Sequence, residues 1–150
     1  MKKSIDKLVE VRLVTVRRSL NRYSGPMSSS AQDFRDRSKR FAIRTIRLYR
    51  ALPTRSDAQL IGKQLFRSAT SVAANHRAAC RARSKAEFTA KLGVVVEEVD
   101  ESLFWLELLG ECCVVPQVKL EDLIDEAKQL TAMFTAAYHT SKAATRKDWV

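Results

Sequence analysis

Glycine and proline are scarce, four and three in 150 residues, so the chain has few built-in break points. Nowhere do apolar and polar residues alternate as a half-buried strand requires. The composition therefore points to an all-α protein, and the length suits a single domain. Cysteine is equally sparse: Cys80, Cys112 and Cys113 make neither an even framework nor a CxxC pair, and a bridge between adjacent residues would be strained. Reduced thiols in a cytoplasmic protein are the expectation. His76 and His139 stand apart from any ligand cluster, so neither a metal nor another cofactor is expected. No apolar run approaches the roughly 20 residues that cross a bilayer.

The segment from Arg67 to Leu109 is the most informative. Ser84-Lys-Ala-Glu87 has the spacing of a capping box, in which the serine oxygen accepts from the backbone three residues on and the glutamate reaches back to the serine N–H. Before it, Ile61, Leu65, Ser68, Ala69, Val72, His76 and Ala79 recur at steps of three or four. After it, Phe88, Leu92, Val95, Val96, Val99, Leu103, Leu106 and Leu109 do the same. Small residues on the first stripe opposite large ones on the second allow close antiparallel packing.

Extended over the chain, this pattern gives three parts. Residues 1–29 form a basic extension and linker: Ile5, Leu8, Val9, Leu13, Val16 and Leu20 make an amphipathic stripe, then Gly25-Pro26 and serines follow. Met27 in that linker is a candidate alternative translation start. Residues 30–142 are expected to form an antiparallel up-down four-helix bundle, with helices from about Ser30 to Leu52, from Ser56 or Asp57 (either able to N-cap) to about Arg83, from Ser84 to about Cys113, and from Lys119 or Glu121 to about Lys142. Residues 143–150 are a tail.

The net charge of +10 is unevenly spread: residues 1–50 hold 14 Lys/Arg against 4 Asp/Glu, and residues 92–150 hold 5 against 11. Two explanations stand. Oppositely charged helices could neutralise one another within or between subunits, or the basic half could meet a polyanion. For the second, the candidate phosphate contacts are Arg35, Arg37, Lys39, Arg40, Arg44, Arg47 and Arg50 on the first helix, then Arg77, Arg81, Arg83 and Lys85 around the second turn. Few aromatics interleave with these charges, so contacts to a nucleic-acid backbone are favoured over base stacking.

Polar residues at the same turn, Asn75, Ser84 and Glu87, are read as capping and intrabundle hydrogen bonding. Ser84 has no histidine partner, and no Gly-rich phosphate loop is present. The carboxylates of the third helix, from Glu97 to Glu111, lack the Glu-x-x-His step of a di-iron bundle. They are expected to pair with arginines of the first two helices. No enzymatic activity is expected.

Arg67, Ser68, Ser71, Val72, Ala74, Asn75, Ala79, Arg83, Ser84, Glu87, Phe88, Leu92, Glu97, Glu98, Leu103, Trp105 and Leu106 together resemble the four-helix-bundle family encoded in intervening sequences of bacterial 23S rRNA genes. The likeness extends over about Phe34 to Tyr138. Many members carry Gly, Tyr and Glu where this chain has Ala74, His76 and Ala78. The resemblance implies a bundle that assembles into a ring, typically a homopentamer. It extends to the accessory variability determinant of diversity-generating retroelements, a basic barrel that engages a reverse transcriptase and nucleic acid. A non-enzymatic scaffold or adaptor that binds DNA, RNA or a nucleic-acid-processing protein is thus one expectation. A purely structural homo-oligomer without nucleic acid is the other.

Overall fold

The computed structural model describes residues 31–147, with side chains from 33 to 143. The amphipathic extension, the Gly-Pro linker, Met27 and the last three residues of the tail lie outside the described residues. Four helices follow one another: α1 (Ala31–Ala51), α2 (Ser56–Ala79), α3 (Lys85–Glu111) and α4 (Gln117–Lys147). Among the described residues there is no strand. The connections are too short for anything but antiparallel neighbours, and α1 lies on α2, α2 on α3, and α3 on α4. The edge between α1 and α4 is thinner.

The apolar stripes meet as one core. Phe41 and Leu48 of α1, Leu65 and Val72 of α2, Leu92, Val95, Val99, Leu106 and Leu109 of α3, and Leu120, Leu130 and Phe134 of α4 are all buried. Full burial of such side chains contributes about 1.5–3 kcal/mol each before chain entropy is charged against it. α2 and α3 also meet through a buried polar contact: the Ser102 and Ser68 hydroxyls lie 2.9 Å apart, and each also reaches a carbonyl of its own helix, Glu98 at 2.7 Å and Leu65 at 3.2 Å. Small side chains with locally satisfied hydroxyls let the backbones draw together without stranding a polar atom.

The helix ends show where local chemistry differs from sequence spacing. Ser84 caps α3 as expected, its Oγ accepting from the Glu87 N–H at 3.1 Å. The return arm is shifted by one residue, because Glu87 Oε2 accepts from the Arg83 N–H at 2.9 Å rather than from Ser84. α2 starts without a side-chain cap: Arg55 occupies the cap position, and its guanidinium binds Asp57 at 2.6 Å. Ser56 is already helical. Nor does α2 reach Arg83. It stops at Ala79, where the Arg81 N–H bonds the Ala78 carbonyl at 3.0 Å and tightens the final turn.

α4 begins at Gln117, directly after Pro116, and runs past Lys142 to Lys147. The expected tail therefore starts inside a helix, since Ala143, Ala144, Arg146 and Lys147 are strong helix formers with nothing to interrupt them. α3 ends differently. Cys113 sits at φ 54°, and the Val114 and Val115 N–H groups both return to the Leu109 carbonyl, at 3.0 and 3.1 Å. This is a left-handed helix stop without the usual glycine.

Two substitutions test these assignments by thermal denaturation. Cys113→Gly removes the Cβ from a left-handed position and is expected to stabilise by about 0.5–1 kcal/mol. Gly62→Ala would raise stability on an exposed helix. Here the new Cβ meets Leu52 Cδ1 and lies 2.8 Å from Tyr49 Cδ2, so a loss of about 1–3 kcal/mol is expected instead.

Candidate nucleic-acid interface

Antiparallel topology decides which charges share an end of the bundle. The cross-helix pairs Ser38–His76, Arg67–Glu98 and Thr89–Ser141 fix the levels of the four helices. They place the start of α1, the end of α2, the start of α3 and the end of α4 together. In that half, residues 33–44, 70–98 and 132–143, there are eleven Lys/Arg against five Asp/Glu. The other half of the side-chain-resolved bundle, residues 45–69 and 99–131, has seven against nine. The molecule is polar along its length. One end is strongly cationic, and the α3–α4 turn at the other is acidic through Glu107, Glu111, Glu121, Asp122 and Asp125.

The eleven candidate cations divide accordingly. Arg35, Lys39, Arg40, Arg77, Arg81, Arg83 and Lys85 are exposed at or near the cationic end. Among the described residues no carboxylate lies within ion-pair distance of Lys39, Arg77 or Arg81. Arg40 has Asp33 at 3.9 Å and Arg83 has Glu87 at 3.5 Å, loose surface pairs that a phosphate could displace. Arg47 is half-buried, and Arg50, although exposed, belongs to the opposite half. It stands about 22 Å along α1 from Arg35, so the α1 arginines do not form one surface.

Arg37 and Arg44 are corrections to the candidate set. Arg37 clamps α1 to α4: Nε and Nη2 donate to the two Glu126 carboxylate oxygens at 3.1 and 2.9 Å, and Nη2 also reaches Gln129 Oε1 at 3.0 Å. The Glu126 hydrogen bonds raise the Arg37 pKa. Burial lowers that of Arg44, opposed by the charges of Glu126 and Asp122. The Arg37 guanidinium is held against α4, and that of Arg44 is withdrawn from solvent by burial. The α3 acids are expected from the sequence to pair with α1 and α2 arginines within a subunit or across an interface. Within the subunit Arg37 of α1 pairs with α4 instead, and from α2 Arg67 bonds Glu98 at 3.4 Å and also contacts Glu101. That contact, and then the Trp105 indole, hold the Glu101 carboxyl below its ordinary range.

Asn75 does not cap a helix. Its Nδ2 donates to the Ser71 carbonyl at 3.0 Å, one turn back in α2. Lys91 and Lys142 also belong to the cationic half, Lys142 with its ammonium 5.7 Å from the Tyr138 ring centroid. Neither was among the candidates, because only the fold brings the end of α4 beside the α2–α3 turn. Phe34, His76 and Phe134 fill the interior beneath this end, with His76 4.9 Å from Phe134 and 6.4 Å from Phe34, centroid to centroid.

Burial pushes the His76 imidazole below the usual histidine range, and the charge of Arg35 acts in the same direction. Among the described residues no group of three or more His, Cys, Asp or Glu could hold a metal, and no helix is long and apolar enough to cross a membrane.

A sequence profile of the 23S rRNA-intervening sequence protein family matches residues 31–136. The chain is also similar to a protein of the S23 ribosomal protein family from Bacteroides thetaiotaomicron VPI-5482, whose function is described as unknown. That crystal structure, at 1.70 Å, shares 30% identity and a TM-score of 0.66 over 70% of this chain and 97% of its own. No curated protein matches the chain.

Two measurements follow. A double-mutant cycle of Arg37→Ala and Glu126→Ala should give a coupling of about 1–3 kcal/mol, as for a charge-assisted, partly buried pair. Because the folded His76 pKa lies below the unfolded value of about 6.5, its neutral form stabilises the fold fully above that pH. The contribution is lost as pH falls through the folded pKa. The melting temperature should therefore decline from pH 7 towards pH 5, and the decline should flatten in His76→Gln. The depressed carboxyls Asp57 and Glu101 keep their contribution across this range and lose it only at lower pH.

Proposed function

Starting from the fact that the chain belongs to the 23S rRNA-intervening sequence protein family, we propose a non-enzymatic, ring-forming scaffold whose cationic end binds the phosphate backbone of nucleic acid. A nucleic-acid-processing protein, such as a reverse transcriptase, would engage the nucleic acid alongside it. The observation that carries this reading is the convergence of Arg35, Lys39, Arg77, Arg81 and Lys85 at one end of the bundle while the acids collect at the other. Like charges held together by a rigid fold repel one another, and a polyanion relieves that repulsion.

Assembly supplies the avidity. Leu60 (64% exposed), Phe104 (52%) and Val118 (66%) are large apolar side chains left on the surface, and covering them by like subunits would favour association. By resemblance to ring-forming relatives, the assembly is a homopentamer. Five weakly basic ends facing one partner bind more tightly than one, because after the first contact the others are intramolecular. The Bacteroides protein described as from the S23 ribosomal protein family is in keeping with a nucleic-acid setting for the fold.

Filter binding of mixed-sequence DNA and RNA across a salt series tests the proposal. Affinity should fall steeply with salt and depend little on sequence. The double variant Arg77→Glu/Arg81→Glu should lose about ten-fold or more at low salt, while Arg50→Glu, at the far end, should lose much less. If neither nucleic acid is retained at low salt, the molecule is the structural assembly instead. Light scattering after size exclusion should return a multiple of the 17.0 kDa chain, and a monomer would remove the ring.

A further inference from the structure

The cationic end also contains a nucleophile, a base and a group that orients the base, none of which the proposed phosphate contacts use. Cys80 is exposed immediately after α2. Its Sγ lies 3.8 Å from His76 Nε2. On the other side of the imidazole, His76 Nδ1 lies 3.3 Å from Ser38 Oγ. Ser38 has a single hydroxyl hydrogen, and it is donated to the Arg35 carbonyl at 3.0 Å.

The Ser38 oxygen is consequently an acceptor towards the ring, which places the imidazole proton on Nδ1. The Nε2 lone pair is left facing the thiol. Among the described residues Cys80 is the partner of that nitrogen. His76 is only 6% exposed and Ser38 1%, so the ring is fixed in place beside an exposed cysteine. Nucleophile, base and orienting group are in the order that activates a thiol.

We propose that Cys80, His76 and Ser38 form a thiol–disulfide exchange site for small anionic disulfides. In the exchange the neutral His76 imidazole, its resting form, accepts the Cys80 proton at Nε2 only as the sulfur attacks one sulfur of the disulfide. A new sulfur–sulfur bond forms as the old one breaks, and the departing thiolate recovers the proton from Nε2. Protein thiol and disulfide become protein mixed disulfide and free thiol, with no other oxidant.

The preference for an anion comes from Arg35 on α1 and from Arg77 and Arg81, which flank Cys80 in sequence. Cys112 and Cys113 provide an internal contrast. They too are exposed, but they follow Glu111 at the acidic end and have no histidine beside them.

Peptide mapping of the intact protein after timed exposure to oxidised glutathione tests the site. Cys80 should acquire the adduct at least about ten-fold faster than Cys112 or Cys113. His76→Gln should remove most of that advantage while leaving the other two cysteines unchanged. Ser38→Ala, a smaller change to the packing, should remove part of it. With cystamine, a cationic disulfide, the advantage of Cys80 should shrink. A Cys80 rate no faster than that of Cys112 would overturn the proposal. So would a fast Cys80 unaffected by both variants, or an equal advantage with both disulfides.

Discussion

The reversal of the chain at Ser84 is the constraint on which the other features depend. One hydroxyl satisfies the Glu87 N–H at 3.1 Å and starts α3 there rather than a residue either side. The 24 residues of α2 and the 27 of α3 then have only one register in which Ser68 meets Ser102 and Arg67 meets Glu98 and Glu101. A cap contributes about 1 kcal/mol, small beside the buried core. Its larger effect is on specificity, because a shift of one residue would rotate the α3 stripe by about 100° away from α2.

From that register the charge distribution follows. α1 is basic almost throughout, α2 is basic at its end, and α3 and α4 are acidic where they meet. Antiparallel packing sets the acidic α3–α4 turn against the far end of α1, and the charges of Glu126 and Asp122 reach Arg44 at mid-helix. Towards the near end Arg37 is taken by Glu126, while Lys39 has no carboxylate within ion-pair distance among the described residues. Charge is thus neutralised by partners at one end and left exposed at the other. The Arg37–Glu126 clamp, with the guanidinium side chain only 17% exposed, closes the thin α1–α4 edge between the two.

Much of the fold was legible in the sequence, because hydrophobic spacing and the capping pattern are local signals. The four helices, their order and the turn at Ser84 needed nothing from long-range contacts. The stops were harder to read. Cys113 adopts a left-handed conformation that glycine usually signals, and Arg55 stands at an N-cap position without a capping side chain. Local bonds that spacing does not announce hold both places, the Val114 and Val115 N–H groups returning to Leu109 and Arg55 pairing with Asp57.

The candidate site was legible as composition and not as geometry. Counting arginines on α1 could not separate Arg37, turned to α4, and Arg44, withdrawn by burial, from Arg35 and Lys39, exposed beside the α2–α3 turn. Lys91 and Lys142 join the cationic half only through the topology. His76 reads from spacing as one member of an apolar stripe. Its contact with Cys80 follows from four-residue spacing at the end of α2, but its hydrogen bond to Ser38 becomes visible only when α1 is laid across α2.

Lysine footprinting by acetylation, with and without a short mixed-sequence nucleic acid, addresses the central claim most directly. The two ends carry separate sets of lysines, so each molecule contains its own control. Protection of Lys39, Lys85, Lys91 and Lys142, with Lys63, Lys119 and Lys128 still reactive, is the outcome expected of a single cationic binding end. Equal protection of both sets, or protection confined to the second, would contradict it.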